Sequence, residues 1–380
     1  MKKVAVLGCT GSIGKQTLDV IRANPNEFQA IAICAGRDAE RVAAQAAEFK
    51  PEYIAMADEA AADKLKSMGV KGKILSGPDA SCVMASLEDP DIIVNGISGY
   101  SGMKPLLAAL KAGKPVALAN KESIVCAHGF VNEALKLHGG KIIPVDSEQS
   151  AIFQCLAAGQ HSEIDRLILT ASGGPFRTYT KEQLDNVTPE QAGNHPTWNM
   201  GKKITIDSAT LFNKGLEIME ASYLFDVPGD RISVLVHPES IVHSMVEFKD
   251  GCTMAQLSRP DMRLAIQYAL TYPERTYGEF GRLRLEDAGK LTFFAPDREK
   301  FPAIDLAYEA LRDGQRLPIA YNGANEVAVE LFLQGKIRFT DIWQVVEYAM
   351  ARMDRGEVNS LEDIEQIDKL ARELAFRKGK

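Results

Sequence analysis

The run Val4-Ala5-Val6-Leu7-Gly8-Cys9-Thr10-Gly11-Ser12-Ile13-Gly14 decides how this chain begins to fold. Its four apolar residues predict a buried strand over residues 4–7, and a helical pattern follows over residues 15–23. Glycine permits a tight turn between the two elements and lets the backbone approach a ligand closely. A strand, a glycine loop and a helix in this order predict a dinucleotide-binding turn, with the helix N-terminus facing a pyrophosphate.

The glycine spacing and the end of the next strand indicate which dinucleotide binds. The spacing G-x-x-G-x-x-G is one associated with NADP-linked reductases, and a tight turn without a ligand is the alternative. The second predicted strand, residues 30–35, ends at Gly36-Arg37-Asp38. Arg37 suits a 2′-phosphate, whereas Asp38 could turn toward the ribose, so the pattern favours NADP. The predicted cofactor contacts here are Thr10, Gly11, Ser12, Ile13, Gly36, Arg37 and Asp38.

Short apolar runs alternate with helical patterns as far as residue 145. This alternation predicts an α/β fold that starts with a Rossmann-like, doubly wound parallel sheet. Later strand-like runs, and the turn signal Asp250-Gly251, predict a central α+β domain with antiparallel pairing. Helices are expected there at residues 150–158 and 209–222. The predicted domains are 1–146 for the cofactor, 147–273 for catalysis, a linker at 274–302, and a C-terminal helical domain at 303–380.

Composition excludes several classes of protein. The chain has 380 residues, 46% hydrophobic and 25% charged, with a net charge of −7. That charge argues against nucleic acid as a partner, while a local basic pocket can still take an anionic small molecule. The six cysteines are scattered, which argues against structural zinc and a disulfide framework. No apolar run is long enough for a membrane span and the first one is too short for a secretory signal, so a cytoplasmic protein without membrane partners is expected.

Carboxylates at two places in the sequence predict a metal site. Asp146 and Glu148 follow the apolar run 141–145, and on an extended chain they would point to the same side. Asn213, Lys214 and Glu217 share one face of a predicted helix. Carboxylates without nearby histidine or cysteine ligands favour a hard cation, so Asp146, Glu148 and Glu217 are predicted to bind Mg²⁺ or Mn²⁺. Singly, each acid is more often solvated or ion-paired.

A second group predicts a phosphate cradle. Ser172-Gly173-Gly174, Ser208, Asn213 and Lys214 offer hydroxyls, an amide and an ammonium, which together can satisfy phosphate oxygens. The alternative is a glycine turn with Ser208 as an N-terminal helix cap.

The segment 193–201 lies between these groups and carries Trp198, one of two tryptophans. It is either a lid that folds Trp198 over a substrate or a packed surface loop. His195 is expected to contact a ligand rather than act as the base. His237 and His243 are equally consistent with histidines satisfied in the core.

The run Ala119-Asn120-Lys121-Glu122-Ser123 follows a predicted strand of the cofactor domain. Ligands bind at the carboxyl ends of strands in such sheets, so Asn120, Lys121 and Glu122 are candidate cofactor contacts, and Lys121 could also approach a substrate. The alternative is an exposed helix start in which Glu122 complements the helix dipole.

Taken together, these motifs closely resemble the 1-deoxy-D-xylulose 5-phosphate reductoisomerase family over essentially the whole chain. The resemblance implies NADPH-dependent and divalent-metal-dependent conversion of 1-deoxy-D-xylulose 5-phosphate to 2-C-methyl-D-erythritol 4-phosphate, in isoprenoid precursor synthesis. It also implies a homodimer. The implied catalytic residues are Lys121, Glu148, Lys214 and Glu217; the implied substrate contacts are Ser147, Glu148, Ser172, His195, Trp198, Ser208, Asn213, Lys214 and Glu217; and Gly201 joins the cofactor contacts.

Two positions depart from the family pattern. The family usually has histidine after the acidic triplet, where this chain has Gln149-Ser150, and it commonly has asparagine where this chain has Asp38. One rival interpretation is a semialdehyde dehydrogenase, which needs a thiolate nucleophile, with Cys126 and Cys155 as candidates. The other rival is a non-catalytic NADP-sensing protein.

Overall fold

The computed structural model describes residues 1–194, 198 and 201–380. The chain divides into two compact units, each built from segments that are separate in sequence. The first unit contains Met1–Ile124, His128–Ser150 and Asp261–Gly281, and the second contains Val125–Ala127, Ala151–Pro260 and Arg282–Lys380. The units divide the chain differently from the predicted boundaries, because the chain returns to the first unit after residue 260.

The elements alternate in type at first and become helical toward the C-terminus. The strands are β1 Lys2–Leu7, β2 Phe28–Ala35, β3 Tyr53–Met56, β4 Lys73–Ser76, β5 Ile92–Asn95, β6 Pro115–Leu118, β7 Lys141–Pro144, β8 Ile164–Ala171, β9 Ile232–Val236, β10 Val242–Phe248 and β11 Thr253–Leu257. The helices are α1 Ser12–Ala23, α2 Ala39–Phe49, α3 Glu59–Ser67, α4 Ala80–Ala85, α5 Met103–Lys111, α6 Lys121–His138, α7 Ser147–Cys155, α8 Lys181–Leu184, α9 Pro189–Ala192, α10 Lys202–Thr210, α11 Phe212–Phe225, α12 Met262–Thr271, α13 Leu285–Ala288, α14 Ala303–Arg312, α15 Arg316–Leu333, α16 Asp341–Ala351 and α17 Leu361–Lys378. Within the described residues, none of these helices has the length and apolar character needed to cross a bilayer.

A parallel sheet forms the centre of the first unit. Its strand order is β4-β3-β2-β1-β5-β6-β7, so the order reverses beside β1, which pairs with β2 on one side and β5 on the other. The central strands are buried on both faces, as expected of a sheet covered by helices on two sides. The predicted doubly wound fold is confirmed, and its reversal point is where such sheets bind ligands.

Helix α12 belongs to this first unit although it follows the strands of the second one in sequence. It packs on α1, and Lys2 Nζ donates to the carbonyl oxygen of Leu270 at 2.6 Å. Lys141, at the start of β7, also lies over the Tyr272 ring, 4.1 Å from its centroid. The sequence placed this segment in the central domain, because its amphipathic pattern shows that one face is buried but not against which partner.

A four-stranded sheet and a group of helices form the second unit, as far as the chain is described. The strand order is β11-β10-β8-β9, with β8 antiparallel to β10 and parallel to β9. The predicted hairpin turn at Asp250-Gly251 is present, with the Gly251 N–H donating to the Phe248 carbonyl oxygen at 2.9 Å. Helix α15 packs against α16 and α17, and α14 packs against α11. The expected mixed sheet and helical C-terminal region are therefore confirmed.

Two local predictions near the site were wrong, and one of the alternatives is excluded. Helix α7 begins at Ser147, so Glu148 lies in its first turn rather than on an extended chain beside Asp146. The predicted helix 209–222 is two helices, because Leu211 adopts a left-handed conformation (φ 62°) that separates α10 from α11. Ser208 lies in the last turn of α10, so it does not cap a helix N-terminus.

Candidate functional site

The glycine turn after β1 is a close fit of backbone against backbone. Gly8 has φ +79°, and a Cβ atom there would lie 2.7 Å from the Gly96 carbonyl oxygen. A Cβ atom on Gly14 would lie 2.2 Å from the Gly8 carbonyl oxygen. Gly11 caps α1 without a side-chain hydrogen bond, and the first turn of α1 carries no acid. The helix N-terminus therefore keeps the positive potential that a pyrophosphate requires.

Arg37 and Asp38 have different roles at the end of β2. The Arg37 side chain is 89% exposed, and its Nε lies 3.4 Å from Asp58. Asp38 caps α2 by accepting a hydrogen bond from the Arg41 N–H at 3.1 Å, and it also pairs with the Arg41 side chain. Because capping engages the Asp38 carboxylate, the exposed Arg37 guanidinium is the group better placed for a 2′-phosphate. Open space surrounds Gly36, where an added Cβ would meet no atom within 4 Å.

Asn120 is a buried residue after β6 whose side chain forms hydrogen bonds to the loop after β5 and to the start of α6. Its amide Nδ2 donates to the carbonyl oxygens of Ile97 and Gly99 at 2.7 and 2.8 Å, and also to the neighbouring Glu122 carboxylate. Its Oδ1 accepts from the Ser123 N–H and so caps α6. The side chain predicted to contact a cofactor therefore holds the loop after β5, which lies against the glycine turn.

Lys121 and the acidic triplet lie at adjacent carboxyl ends of β6 and β7. Lys121 is buried and its ammonium pairs with the Asp146 carboxylate. This contradicts the alternative of an exposed helix start. Ser147 Oγ donates to Glu148 Oε2 at 2.5 Å. Gln149 is fully buried.

The first turns of α11 hold three predicted residues together. Glu217 is completely buried and Lys214 is 3% exposed. The Lys214 ammonium pairs with Glu217 and donates to the Thr170 carbonyl oxygen at 2.5 Å, while Asn213 Nδ2 donates to Glu217 Oε1 at 2.5 Å. A carboxylate taken out of water is unfavourable unless such partners surround it. The predicted shared helix face is confirmed for these three side chains.

Asp146 and Glu148 of the first unit and Glu217 of the second each offer one carboxylate oxygen to a metal ion, so the three are the candidate ligand group among the described residues. The group contains oxygen donors alone. Such donors fit a hard cation such as Mg²⁺ or Mn²⁺ and are a poor match for the nitrogen and sulfur preference of zinc.

The Ser172-Gly173-Gly174 turn lies against the last turn of α10. Both glycines have left-handed backbones, with φ +79° and +64°. A Cβ atom on Gly174 would lie 2.9 Å from the Ser208 carbonyl oxygen and from Ala209 Cα, so only glycine allows this approach. The turn thus brings the Gly174 backbone, two residues after Ser172, against the backbone of Ser208.

The predicted lid is described in part. Trp198 is half-buried, and its ring centroid lies 6.3 Å from that of His243. His195 lies outside the described residues. Gly201 is exposed and caps α10. His237 is a satisfied core histidine, because Nδ1 lies 2.8 Å from the Thr292 carbonyl oxygen and Nε2 accepts from the N–H groups of Ile241 and Val242.

Two residues that contact predicted site residues were not identified as such from the sequence. Thr170 supplies the carbonyl oxygen that receives the Lys214 ammonium, and its own hydroxyl is bonded to the carbonyl oxygens of Val242 and His243. No sequence pattern identifies such a residue, because the acceptor is its main-chain carbonyl oxygen rather than its side chain. His243 was noted only as a core candidate. Its proximity to Trp198 could not be predicted, because the two residues are far apart in the sequence.

Comparisons with known proteins match the whole chain. The family model described as 1-deoxy-D-xylulose 5-phosphate reductoisomerase matches residues 4–128, and two models of that family's C-terminal domains match residues 142–225 and 257–374. The 1-deoxy-D-xylulose 5-phosphate reductoisomerase of Chlorobaculum tepidum is 49% identical, over 99% of each chain. That of Chloroherpeton thalassium is 47% identical, over 100% of this chain and 98% of its own.

Two solved structures are similar over their full length. A crystal structure of DOX-P reductoisomerase in complex with NADPH, fosmidomycin and magnesium has a TM-score of 0.94 at 42% identity, covering 100% of this chain and 98% of its own. The reductoisomerase from Zymomonas mobilis in complex with NADPH has a TM-score of 0.93 at 42% identity, covering 100% and 99%. The chain therefore belongs to the 1-deoxy-D-xylulose 5-phosphate reductoisomerase family.

Proposed function

We infer that this chain converts 1-deoxy-D-xylulose 5-phosphate to 2-C-methyl-D-erythritol 4-phosphate, with NADPH and a divalent metal ion, in the methylerythritol phosphate route to isoprenoid precursors. It is an NADP-dependent oxidoreductase with an intramolecular isomerase step. The observation that carries this inference, beside the family, is the α11 cluster of Asn213, Lys214 and Glu217. A buried acid beside a cation and an amide suits a metal ion and an oxygen-rich substrate.

We assign the metal ion to Asp146, Glu148 and Glu217. When bound there, the ion supplies a Lewis acid that polarises the carbonyl and hydroxyl oxygens of the substrate. Lys121 pairs with the Asp146 carboxylate, and this ion pair fixes the position of the carboxylate. Ser147 orients Glu148 in the same way through its hydroxyl.

We assign the substrate phosphate to Ser172, Ser208, Asn213 and Lys214. The close approach of the Gly174 backbone to Ser208 supports this assignment, because it limits how far the turn that carries Ser172 can move from α10. Gripping a non-reacting phosphate anchors the carbon skeleton, so rearrangement starts from a fixed orientation. Lys121, Glu148 and Ser147 are proposed to meet polar groups of the sugar, and Trp198 and His195 to close over it.

The glycine turn, with Thr10, Gly11, Ser12 and Ile13, is proposed to hold the NADPH pyrophosphate. Gly36, Arg37 and Asp38 would line the adenosine end, where the exposed Arg37 meets the 2′-phosphate. Asn120 acts through the loop it holds, while Glu122 and Gly201 complete the proposed contacts. When bound, NADPH supplies the hydride that reduces the rearranged aldehyde.

The thiol-dependent rival needs an ionised cysteine. Cys126 and Cys155 are both buried, and burial raises the pKa of the Cys155 thiol to about 11. Such a thiol is almost entirely protonated near neutral pH and is a poor nucleophile. Retention of activity after treatment with iodoacetamide at pH 7.5 is expected, and complete inactivation would favour the rival.

We also propose a cytoplasmic homodimer. Strand β11 is a sheet edge, with Thr253, Met254 and Ala255 exposed, and an edge of this kind presents unpaired backbone groups to a second copy. All six cysteines are free thiols, as is usual in a reducing compartment. Light scattering should give twice the chain mass of 41.5 kDa, and a single-chain mass would contradict the dimer.

The decisive experiment follows NADPH absorbance after addition of 1-deoxy-D-xylulose 5-phosphate, with and without EDTA. NADPH should be consumed only in the untreated sample, and added Mg²⁺ or Mn²⁺ should restore the rate. Consumption that is indifferent to EDTA would contradict the metal assignment. Absence of consumption at any metal concentration would contradict the activity itself and favour a sensing protein.

A further inference from the structure

Asp207 is a buried acid next to the proposed phosphate contact Ser208. It is 1% exposed and lies in α10. One carboxylate oxygen pairs with Lys203 Nζ at 2.5 Å, one turn earlier on the same helix. The other accepts a hydrogen bond from Asn325 Nδ2 at 2.8 Å. An interior carboxylate needs such partners, so its position is determined by the groups that satisfy it.

Asn325 reaches Asp207 from a distant part of the chain. It is completely buried in α15, a helix of the C-terminal group. Its Oδ1 has no hydrogen-bond partner in the part of the chain that the structure describes. The Asp207 contact is therefore the hydrogen bond that orients this amide, and it links two helices through residues that are 118 positions apart in sequence.

A second side chain of α15 contacts the next helix of the cradle. Tyr321 lies one turn before Asn325, on the same face of α15. A Cβ atom on Gly215 would lie 1.9 Å from the Tyr321 hydroxyl oxygen, so α11 approaches this ring as closely as glycine allows. The Tyr321 hydroxyl donates to the Ala303 carbonyl oxygen at 3.1 Å and is thereby fixed.

These contacts surround the helices that carry the cradle. Ser208 follows Asp207, and the Gly174 turn lies against the Ser208 backbone from another direction. Lys214 precedes Gly215, which lies on Tyr321. Helix α15 therefore sets α10 through Asn325 and α11 through Tyr321, while the glycine turn limits how far α10 can shift.

We propose that Asn325 and Asp207 are positioning residues for the substrate phosphate, with α15 as the support that fixes Ser208. This inference rests on the proposed assignment of Ser208 to the phosphate. Neither side chain touches substrate. Both act by holding α10 in register with the Ser172 turn and with Lys214.

The test compares two buried asparagines of the same helix. Asn325→Leu keeps a similar volume and removes the hydrogen bond to Asp207. Asn322→Leu is the matched control, because Asn322 is equally buried in α15 and its Nδ2 lies near Glu326, at 3.4 Å, rather than near α10. For each variant we would measure KM and kcat with 1-deoxy-D-xylulose 5-phosphate, Ki for inorganic phosphate, Kd for NADPH and the melting temperature.

For Asn325→Leu we expect KM and the phosphate Ki to rise together by about tenfold, since a displacement of the anchor weakens its grip. We expect kcat to change by less than about threefold, NADPH Kd to stay constant, and Asn322→Leu to leave KM and Ki unchanged. Asn325→Asp should be worse, because two carboxylates would meet in the interior. The double variant Asn325→Asp with Asp207→Asn exchanges the two side chains. It restores an amide donor and a carboxylate acceptor between α10 and α15, and it should recover most of the phosphate affinity.

Three results would overturn the inference. One is a fall in kcat with unchanged KM and Ki, which indicates a smaller folded fraction. Another is an equal rise of KM in both leucine variants, and the third is no recovery in the exchanged pair despite a normal melting temperature. Failure of inorganic phosphate to compete with substrate in the unaltered protein is different, because it contradicts the phosphate assignment itself.

Discussion

The charged side chains at this site are largely removed from solvent, and hydrogen bonds and ion pairs with their neighbours fix their positions. Glu217 has no contact with water, and its two oxygens are shared between Asn213 and Lys214. Lys121 and Asp146 form a comparable pair, in which the side chains are 6% and 12% exposed. In each pair, an opposite charge offsets the cost of removing an ion from water, and a polar group of a ligand could replace that partner.

Glu217→Gln tests the metal assignment at its most buried member. The amide keeps the shape and a hydrogen bond to Lys214 but removes the charge that attracts a divalent cation. We expect kcat to fall on the order of 100-fold or more, because several kcal/mol of charge stabilisation is lost. NADPH binding, measured by fluorescence titration, should survive.

The control for that variant is Glu247→Gln, whose carboxylate pairs with Arg166 on the sheet of the same unit. It should turn over normally. A near-normal rate for Glu217→Gln with added Mg²⁺ would contradict the metal assignment.

Asn120→Asp tests whether this residue acts through the loop after β5. The aspartate can still cap α6 but cannot donate to the carbonyl oxygens of Ile97 and Gly99. We expect the loop to move and NADPH Kd to rise by about tenfold, in line with a loss of two buried hydrogen bonds. Unchanged Kd in an isothermal titration would show that the loop does not shape the cofactor site.

At the scale of elements, each part of the site comes from a strand end or a helix end. Strands β1, β2, β6 and β7 deliver the glycine turn, Arg37, Lys121 and Asp146 at one edge of the parallel sheet. In the second unit, β8 delivers the Ser172 turn, and the break between α10 and α11 sets the direction of the α11 cluster. Helix starts and strand ends leave backbone groups unpaired, which is why binding sites form there.

Gly14→Ala tests the contact between α1 and the glycine turn. The added methyl group would overlap the Gly8 carbonyl oxygen at 2.2 Å, so α1 must shift. We expect a loss of about 1–3 kcal/mol of stability and much weaker NADPH binding. Gly129→Ala in α6 is the control, because a Cβ atom there meets nothing within 4 Å. Equal NADPH affinity in both variants would exclude a role for the close approach.

The sequence predicted the parts of this architecture that depend on local patterns. The glycine turn, the strands Tyr53–Met56 and Ile92–Asn95 and the helix Ala303–Arg312 follow from periodicity and turn chemistry. The break between α10 and α11 at Leu211 was not predicted. Leucine favours helices, and no local sequence signal indicates a left-handed backbone at this position. The contact between Asn325 and Asp207 could not be predicted either, because it forms only when helices that are far apart in sequence pack together.

At the scale of the whole molecule, four of the six cysteines are buried, whereas Cys82 is partly exposed and Cys252 is exposed. Burial raises the pKa of Cys34 to about 12 and of Cys155 to about 11, and it raises the pKa of Cys9 as well. In the unfolded chain these thiols ionise near their usual value of 9.0. Protonated thiols therefore favour the folded state, and this contribution is complete below pH 9.

Raising the pH above about 9 should consequently lower the free energy of unfolding, because the unfolded chain releases protons that the folded chain retains. The loss should continue toward pH 11 and should be measurable by urea denaturation at pH 8, 9 and 10. Cys155→Ala should show a shallower decline, since it removes one such thiol. A stability that stays constant or rises across this range in the unaltered chain would contradict the prediction.

The return of α12 to the first unit has a consequence for how this protein is made. A ribosome completes all seven strands of the parallel sheet before it has synthesised the segment that covers α1. At roughly 5 to 20 residues per second, the stretch from Ser150 to Gly281 takes about 7 to 26 seconds to emerge. During that interval the nascent sheet domain carries an uncovered apolar helix face. We expect a fragment ending at residue 150 to aggregate in cells, and a soluble, folded fragment of that length would show that α12 is dispensable for the first unit.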